Sequence, residues 1–321
     1  MSRLNFVFVA TLALALLAGP AVVLSAQEYV ISVNQFTEHP TLNDAVKGFK
    51  DQLLESGLKV TYKEHNAKND LAALGGIVEA MAAEKPNLVL AVATPSAQAT
   101  YRAIKDIPLV FMAVTDPVTS GLVPSLAPPH ANVTGTTDMT SVAEQLLTVL
   151  EIQPDLKNLG VIYNPKEINS SVEVNLAKMM EKSLGISIID GVAETAGDVS
   201  GAARSLVGKV DAFYLPRDNT VIGALPAIEK VSSDNKIPIY AADSDTIRKG
   251  GVASLTIDYY ELGRQTGRIA AKILKDGVPA ESIPVEKQVA HDLIVNTAYA
   301  TSIGLAIPES VLAKATENIT K

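Results

Sequence analysis

The sequence predicts an α/β protein of two doubly wound parallel-sheet lobes joined by a hinge. Short β-rich runs alternate with helical patterns from Tyr29 onward, the signature of parallel α/β units. The alternation then begins again near Asn158, which gives two similar successions of strands. A length of 321 residues, 47% of them hydrophobic and 19% charged, suits a globular chain of two lobes.

In the first succession the strands read as Tyr29–Val33, Lys59–Glu64, Leu88–Val92, Leu109–Val114 and Val133–Thr136. Leu88–Val92 and Leu109–Val114 are continuous apolar runs, as expected of strands buried on both faces. Helical patterns lie between them at Leu42–Glu55, Leu71–Glu84 and Ser96–Ile104. Glu55-Ser56-Gly57 closes the first of these with a glycine just past the helix. Pro124, Pro128 and Pro129 mark an irregular segment before the second lobe, and the first crossover falls near Thr136–Thr140.

The second succession has strands at Asn158–Tyr163, Ile186–Asp190, Ala212–Leu215, Pro238–Tyr240 and Val252–Ile257. Its helices are Asn169–Ser183, Ala196–Val207, Thr220–Ser232 and Glu261–Lys275. No sequence repeat relates the two halves, so their likeness is architectural. The expected division is a leader at 1–26, a first lobe of 27–137 plus about 259–280, and a second lobe of 138–258 plus about 281–321. Three crossings would make a hinge, and ligands commonly bind between domains joined that way.

The N-terminus is the one biased segment. Arg3 precedes an apolar run from Phe6 to Leu24, and Ser25-Ala26 leads into polar Gln27-Glu28. A positive start, apolar centre and small-residue exit make a secretory signal. The same 21 residues from Phe6 to Ala26 are long enough to span a bilayer, but Pro20 interrupts them. The chain has no cysteine, which excludes disulfides and a lipid-bearing thiol, so the mature protein is expected free in a periplasm. Its net charge of −8 becomes −9 once Arg3 leaves, and no basic run points to nucleic acid.

The motifs of common catalytic sites are missing. The sequence holds no G-x-S-x-G elbow, no phosphate loop ending in Lys-Ser/Thr, and no G-x-G-x-x-G after a strand. The four histidines, His39, His65, His130 and His291, are scattered without metal-ligand spacing. His39 alone falls in a predicted crevice loop, where it reads as a turn residue. No cofactor is implied.

Polar side chains gather instead where apolar runs end. In an open parallel sheet that is the ligand crevice. Val92-Ala93-Thr94-Pro95-Ser96-Ala97-Gln98 and Val114-Thr115-Asp116-Pro117 each carry hydroxyls and a proline directly after a buried strand. Asn34-Gln35-Phe36-Thr37-Glu38-His39-Pro40 does the same in the first lobe. Tyr163-Asn164-Pro165 with Glu167, Asn169 and Ser170, then Pro216-Arg217-Asp218-Asn219, Ala242-Asp243-Ser244-Asp245 and Asp258-Tyr259-Tyr260 do so in the second. Hydroxyls and helix N-termini take a carboxylate, carboxylates take an ammonium, and tyrosines flank an apolar group, so the set suits a zwitterion. Each residue singly also fits an ordinary helix cap or turn former. Recurrence on one surface of both lobes is what points to a ligand.

These loops resemble the ABC-transporter substrate-binding proteins of the tryptophan/tyrosine-binding type, with a type I periplasmic-binding fold. The resemblance rests on Glu38-His39-Pro40-Thr41-Leu42-Asn43, Gly48-Phe49, Thr94-Pro95-Ser96-Ala97-Gln98, Val114-Thr115-Asp116-Pro117-Val118 and Gly121-Leu122-Val123. It continues through Asn132-Val133-Thr134-Gly135, Tyr163-Asn164-Pro165, Asp218-Asn219-Thr220-Val221 and Tyr259-Tyr260-Glu261-Leu262-Gly263-Arg264-Gln265-Thr266-Gly267. It implies an exported binding protein, not an enzyme, that closes on an amino acid with an aromatic or apolar side chain. It also implies delivery of that ligand to a transporter permease, and a monomer suits a protein that must present both lobes to a membrane partner.

The expected ligand contacts are Glu38, Thr94, Pro95, Ser96, Ala97, Thr115, Asp116, Tyr163, Asn164, Glu167, Asn169, Ser170, Asp218, Asn219, Asp243 and Asp258. Among them Asp116 or Asp218 would meet the ammonium, and Thr94, Ser96 and nearby N–H groups the carboxylate. The competing reading is an exported α/β hydrolase using Asp116, Asp243 or Asp245 as acid and base.

Overall fold

The computed structural model describes residues 27–289 and 291–321. The leader expected at 1–26 lies outside these residues. No described helix is long and apolar enough to cross a membrane.

The first lobe runs β1 (Glu28–Gln35), α1 (Pro40–Glu55), β2 (Lys59–Asn66), α2 (Leu74–Glu84), β3 (Leu88–Val92), α3 (Thr94–Ala103), β4 (Leu109–Met112) and β5 (Val133–Thr137). The chain crosses into the second lobe through α4 (Val142–Ile152), β6 (Asn158–Tyr163), α5 (Ile168–Leu184), β7 (Ser187–Val192), α6 (Val199–Leu206) and β8 (Ala212–Leu215). It continues with α7 (Asn219–Gly223), α8 (Leu225–Asn235), β9 (Ile239–Ala241), α9 (Ser244–Gly250) and β10 (Ala253–Thr256). It returns to the first lobe as α10 (Tyr259–Leu274) and β11 (Glu286–Lys287). The end of the chain rejoins the second lobe as β12 (Asp292–Asn296), α11 (Thr297–Ser302), α12 (Glu309–Leu312) and β13 (Glu317–Ile319).

The first sheet has the order β11-β5-β4-β3-β1-β2 and is parallel throughout. The second has the order β13-β12-β10-β9-β8-β6-β7. It is parallel except that β12 runs antiparallel to β10. Each sheet thus repeats the same doubly wound order, and the strand order reverses beside β1 in one lobe and β6 in the other. Buried strands explain the apolar runs. Along β3, Leu88, Leu90 and Val92 join the core on one face of the sheet, while Val89 and Ala91 join the core on the other.

Four departures from the sequence reading have local causes. The strand expected over Leu109–Val114 stops at Met112, because Ala113 adopts a left-handed φ of +56°. The helix expected from Ser96 begins at Thr94, with proline in its first turn. The helix expected over Thr220–Ser232 is two helices broken at Ala224, with Pro226 opening the second. The last crossing, expected near 280, follows Lys287, since the two-residue strand β11 pairs with Thr136 and Thr137 of β5. So short an edge strand carries no readable period.

Helix α10 is seated on α1 at backbone distance. A Cβ at Gly263 would lie 1.9 Å from the Ala45 carbonyl oxygen, and one at Gly48 would lie 2.1 Å from that of Tyr260. Only glycine permits that approach. The seating delivers Tyr259, the first residue of α10, to the junction between the lobes.

Candidate functional site in the cleft between the lobes

The cleft is built from the carboxyl ends of strands in both sheets. The first lobe contributes His39 and Leu42 after β1, Ala93 and Thr94 after β3, and Ala113 and Thr115 after β4. The second contributes Asn169 after β6, Arg217, Asp218, Asn219 and Ile222 after β8, and Asp243 after β9. Asp138 and Tyr259 reach it from the first two of the three crossings. Two non-glycine residues with positive φ, Ala93 at +75° and Ala113 at +56°, stand at adjacent strand ends in this lining. Such backbone strain costs about 1–3 kcal/mol apiece and collects at ligand sites. Helix α3 starts just after Ala93, with Thr94 in the cavity lining, and the N–H groups of Thr94 and Ser96 have no intrahelical partner.

Arg217 is the centre of a buried polar cluster that ties the second lobe to the first two crossings. Its Nη1 donates to Glu173 Oε1 at 2.5 Å, its Nη2 to Thr140 Oγ1 at 3.0 Å, and its Nε to the Tyr259 hydroxyl at 3.2 Å. Tyr259 in turn donates to Asp138 Oδ2 at 2.8 Å, and Arg217 Nε lies 3.5 Å from that same oxygen. Burial pushes the Glu173 carboxyl up and the guanidinium beside it pulls it back. A guanidinium carries five N–H donors, and three here serve protein groups.

Four residues lining this one cavity each hold a buried polar atom with no hydrogen-bond partner: His39 Nδ1, Thr94 Oγ1, Asp138 Oδ1 and Asn169 Oδ1. Unpaired buried polar groups are expensive, about 1–3 kcal/mol each. Burial holds the His39 imidazole below its usual range, opposed by the carboxylates of Asp243 and Asp245. Burial, and then the charge of Glu167, pushes the Asp218 carboxyl up.

Of the residues expected from sequence, Thr94, Thr115, Asn169, Asp218, Asn219 and Asp243 line the cavity. The others are engaged elsewhere. The Ser96 hydroxyl turns back to donate to Asn34 Oδ1 at 3.2 Å, Pro95 is buried, and Ala97 is core. Asp116 organises its own turn, accepting from the N–H groups of Val118 and Thr119 at 3.0 Å each, and is not among the residues lining this cavity. Glu167 accepts five hydrogen bonds of 2.6–3.1 Å from Asn169, Asn219 and Thr220, and so closes one loop onto the next. Asn164 and Ser170 are bonded within the same loops. Tyr163 packs against the core of the second lobe. Glu38 is exposed, bonded by Asn66, and Asp258 is an exposed cap of α10.

The acid and base of the hydrolase reading do not assemble either. Asp243 caps α9 through Thr246, Asp245 pairs with Lys249 at 2.6 Å, and Asp116 lies in its turn. Sequence reasoning missed Asp138, Arg217, Tyr259, Leu42, Ile222 and the two strained alanines as lining residues, and set His39 aside as a turn former. Arg217 beside Asp218, Tyr259 beside Asp258 and Ala93 before Thr94 stood in crevice loops and were the legible signals among them.

Comparison with known proteins identifies the family. Residues 30–319 match the family described as ABC transporter substrate binding protein. A protein named tyrosine-binding protein from Clostridioides difficile (strain R20291) is 38% identical over 276 residues, 85% of this chain and 80% of that protein. A solved ABC domain from Streptococcus pneumonia in complex with L-Trp is 31% identical over 90% of this chain and 100% of that one, with a TM-score of 0.87. The ligand-free, open structure of a substrate-binding protein with adhesive properties from Clostridium difficile is 36% identical over 91% of this chain and 100% of that one. Its TM-score is 0.69. The chain belongs to the ABC transporter substrate binding proteins, a family of solute binders and not of enzymes.

Proposed function

We propose that the cleft closes on an amino acid with an aromatic side chain, and that the exported chain delivers it as a monomer to an ABC permease. The observation that carries this reading is that four residues lining one cavity, from both lobes and the hinge, each hold an unpartnered buried polar atom. The two charged ends of a zwitterion satisfy three of these atoms. Asp138 Oδ1 and Asn169 Oδ1 accept from the ammonium. The Thr94 hydroxyl, the free N–H groups at the start of α3 and the two remaining N–H groups of Arg217 donate to the carboxylate. Leu42, Ala93, Ala113 and Ile222 leave an apolar wall for the side chain.

The relatives support this reading, since one is named for tyrosine and another holds tryptophan. The TM-scores support closure: the chain superposes better on the tryptophan complex than on the open ligand-free protein, although the latter is more similar in sequence. Closure would be a rigid hinge motion, favoured by contacts the ligand makes only with both lobes together. Export is supported by Arg3, the apolar run to Leu24 and the small exit at Ser25-Ala26.

A thermal-shift screen of residues 27–321 against the twenty amino acids, common sugars and nucleosides tests it. Tyrosine or tryptophan at 100 times its dissociation constant should stabilise the protein by about 2.7 kcal/mol, a clear rise in Tm. Stabilisation by a sugar or nucleoside alone would overturn the assignment. Light scattering with and without ligand checks the monomer, and N-terminal sequencing of the exported protein checks the leader.

A further inference from the structure

We infer that His39 reads the polar atom on the ligand's ring, so that the cleft selects tyrosine or tryptophan over phenylalanine. The inference rests on the amino-acid reading above and deepens it. His39 sits in extended backbone just before α1, and its side chain does not cap that helix. Its Nδ1 is buried without a partner, and the residue lines the cavity. Leu42, three residues on, lines the same wall and is apolar. The two present an apolar side chain beside an imidazole, the chemistry of a phenol or indole subsite.

The other candidates for that atom are already engaged. Asp243 is held by the Thr246 amide and hydroxyl at 2.9 and 2.7 Å, and Asp245 by Lys249. The Tyr259 hydroxyl, the one phenol in the lining, is shared between Asp138 and Arg217. Asp138, Asn169, Thr94 and Arg217 account for the two charged ends of the ligand, which leaves His39 over. Burial favours its neutral form, with a lone pair on one ring nitrogen. That lone pair accepts from a phenol O–H or an indole N–H. Phenylalanine offers neither and would leave the nitrogen buried and unpaired, the arrangement by which sites reject an analogue that lacks a donor.

Calorimetric titration of tyrosine, tryptophan and phenylalanine into the wild type, His39→Leu and His39→Gln tests this. The wild type should bind tyrosine or tryptophan about tenfold or more tighter than phenylalanine. His39→Leu should bring them to the phenylalanine level while phenylalanine itself stays within about threefold, which also shows that the variant is folded. His39→Gln, which keeps an acceptor, should recover part of the preference. Equal weakening of all three ligands in His39→Leu, or no preference in the wild type, would overturn the role of His39. A wild type that binds none of the three would instead overturn the amino-acid reading on which it rests.

Discussion

At the β3–α3 turn of the first lobe, the Thr94 hydroxyl faces the cleft with no partner, beside an alanine strained to φ +75° and the open end of a helix. Across the cleft, the β6–α5 and β8–α7 turns of the second lobe carry more polar groups, yet most bind one another. Glu167 takes five donors, and the two oxygens of Asp218 accept from the Asn164 amide at 2.6 Å and the Val221 amide at 2.9 Å. One turn is poised for a ligand, and the other is mostly a rigid frame that holds Arg217 and Asn169 in place. A polar residue at a strand end therefore signals a site only when its bonding capacity is left over.

The sharpest way to break the comparison is to cut the frame. Glu167→Ala leaves five donors without their acceptor in a buried site. It should lower unfolding free energy by about 3–4 kcal/mol in urea titrations, near the top of the usual range for one substitution. A loss under about 1 kcal/mol would mean that the second-lobe loops hold themselves together without it.

Next in size is Asp138→Asn, which keeps the Tyr259 hydrogen bond but removes the charge offered to the ammonium. Calorimetry should register weaker amino-acid binding by about 2–3 kcal/mol, roughly a hundredfold. An unchanged Kd would move the ammonium to Asp218.

Smaller and paired are Thr94→Val and Ser96→Ala, neighbours that sequence reading treated alike. Thr94→Val should weaken binding by about 1 kcal/mol with stability nearly unchanged, because the lost hydroxyl had no partner. Ser96→Ala should leave affinity intact and lower stability by about 0.5–1.5 kcal/mol through the lost bond to Asn34. The reverse pattern would exchange their roles.

The smallest effect concerns acidity. Burial depresses the His39 pKa in the folded state, so the stability tied to its neutral form is complete above about 6.5, the ordinary histidine value. It is lost as pH falls through and below that value, where Asp243, Asp245 and Asp138 favour the charged imidazole and Lys249 opposes it. Urea midpoints of wild type and His39→Gln should therefore diverge to the disadvantage of the wild type between pH 7.5 and 5.5. Parallel lines would remove burial as the dominant influence on this ring.

Much of the fold was legible because its cause is local. Apolar runs such as Leu88–Val92 have no other stable place than a strand covered on both faces, and Glu55-Ser56-Gly57 ends a helix wherever it occurs. The crossing after Lys287 was not, since β11 exists only by pairing with β5. The site was half legible for the same reason. Thr94, Asn169, Asp218 and Asp243 were found because strand ends in a doubly wound sheet face one crevice.

What the sequence determined by itself is the alternation of strand and helix, the crevice side of each sheet and the zwitterion-like chemistry gathered there. Only the tertiary structure decided which of those groups remain free. Whether Ser96 meets a ligand or Asn34 and whether Arg217 reaches the cleft at all depend on neighbours 42 to 77 residues away. A hydrogen bond saturates its donor, so the chemistry left to a ligand is what folding has not already used.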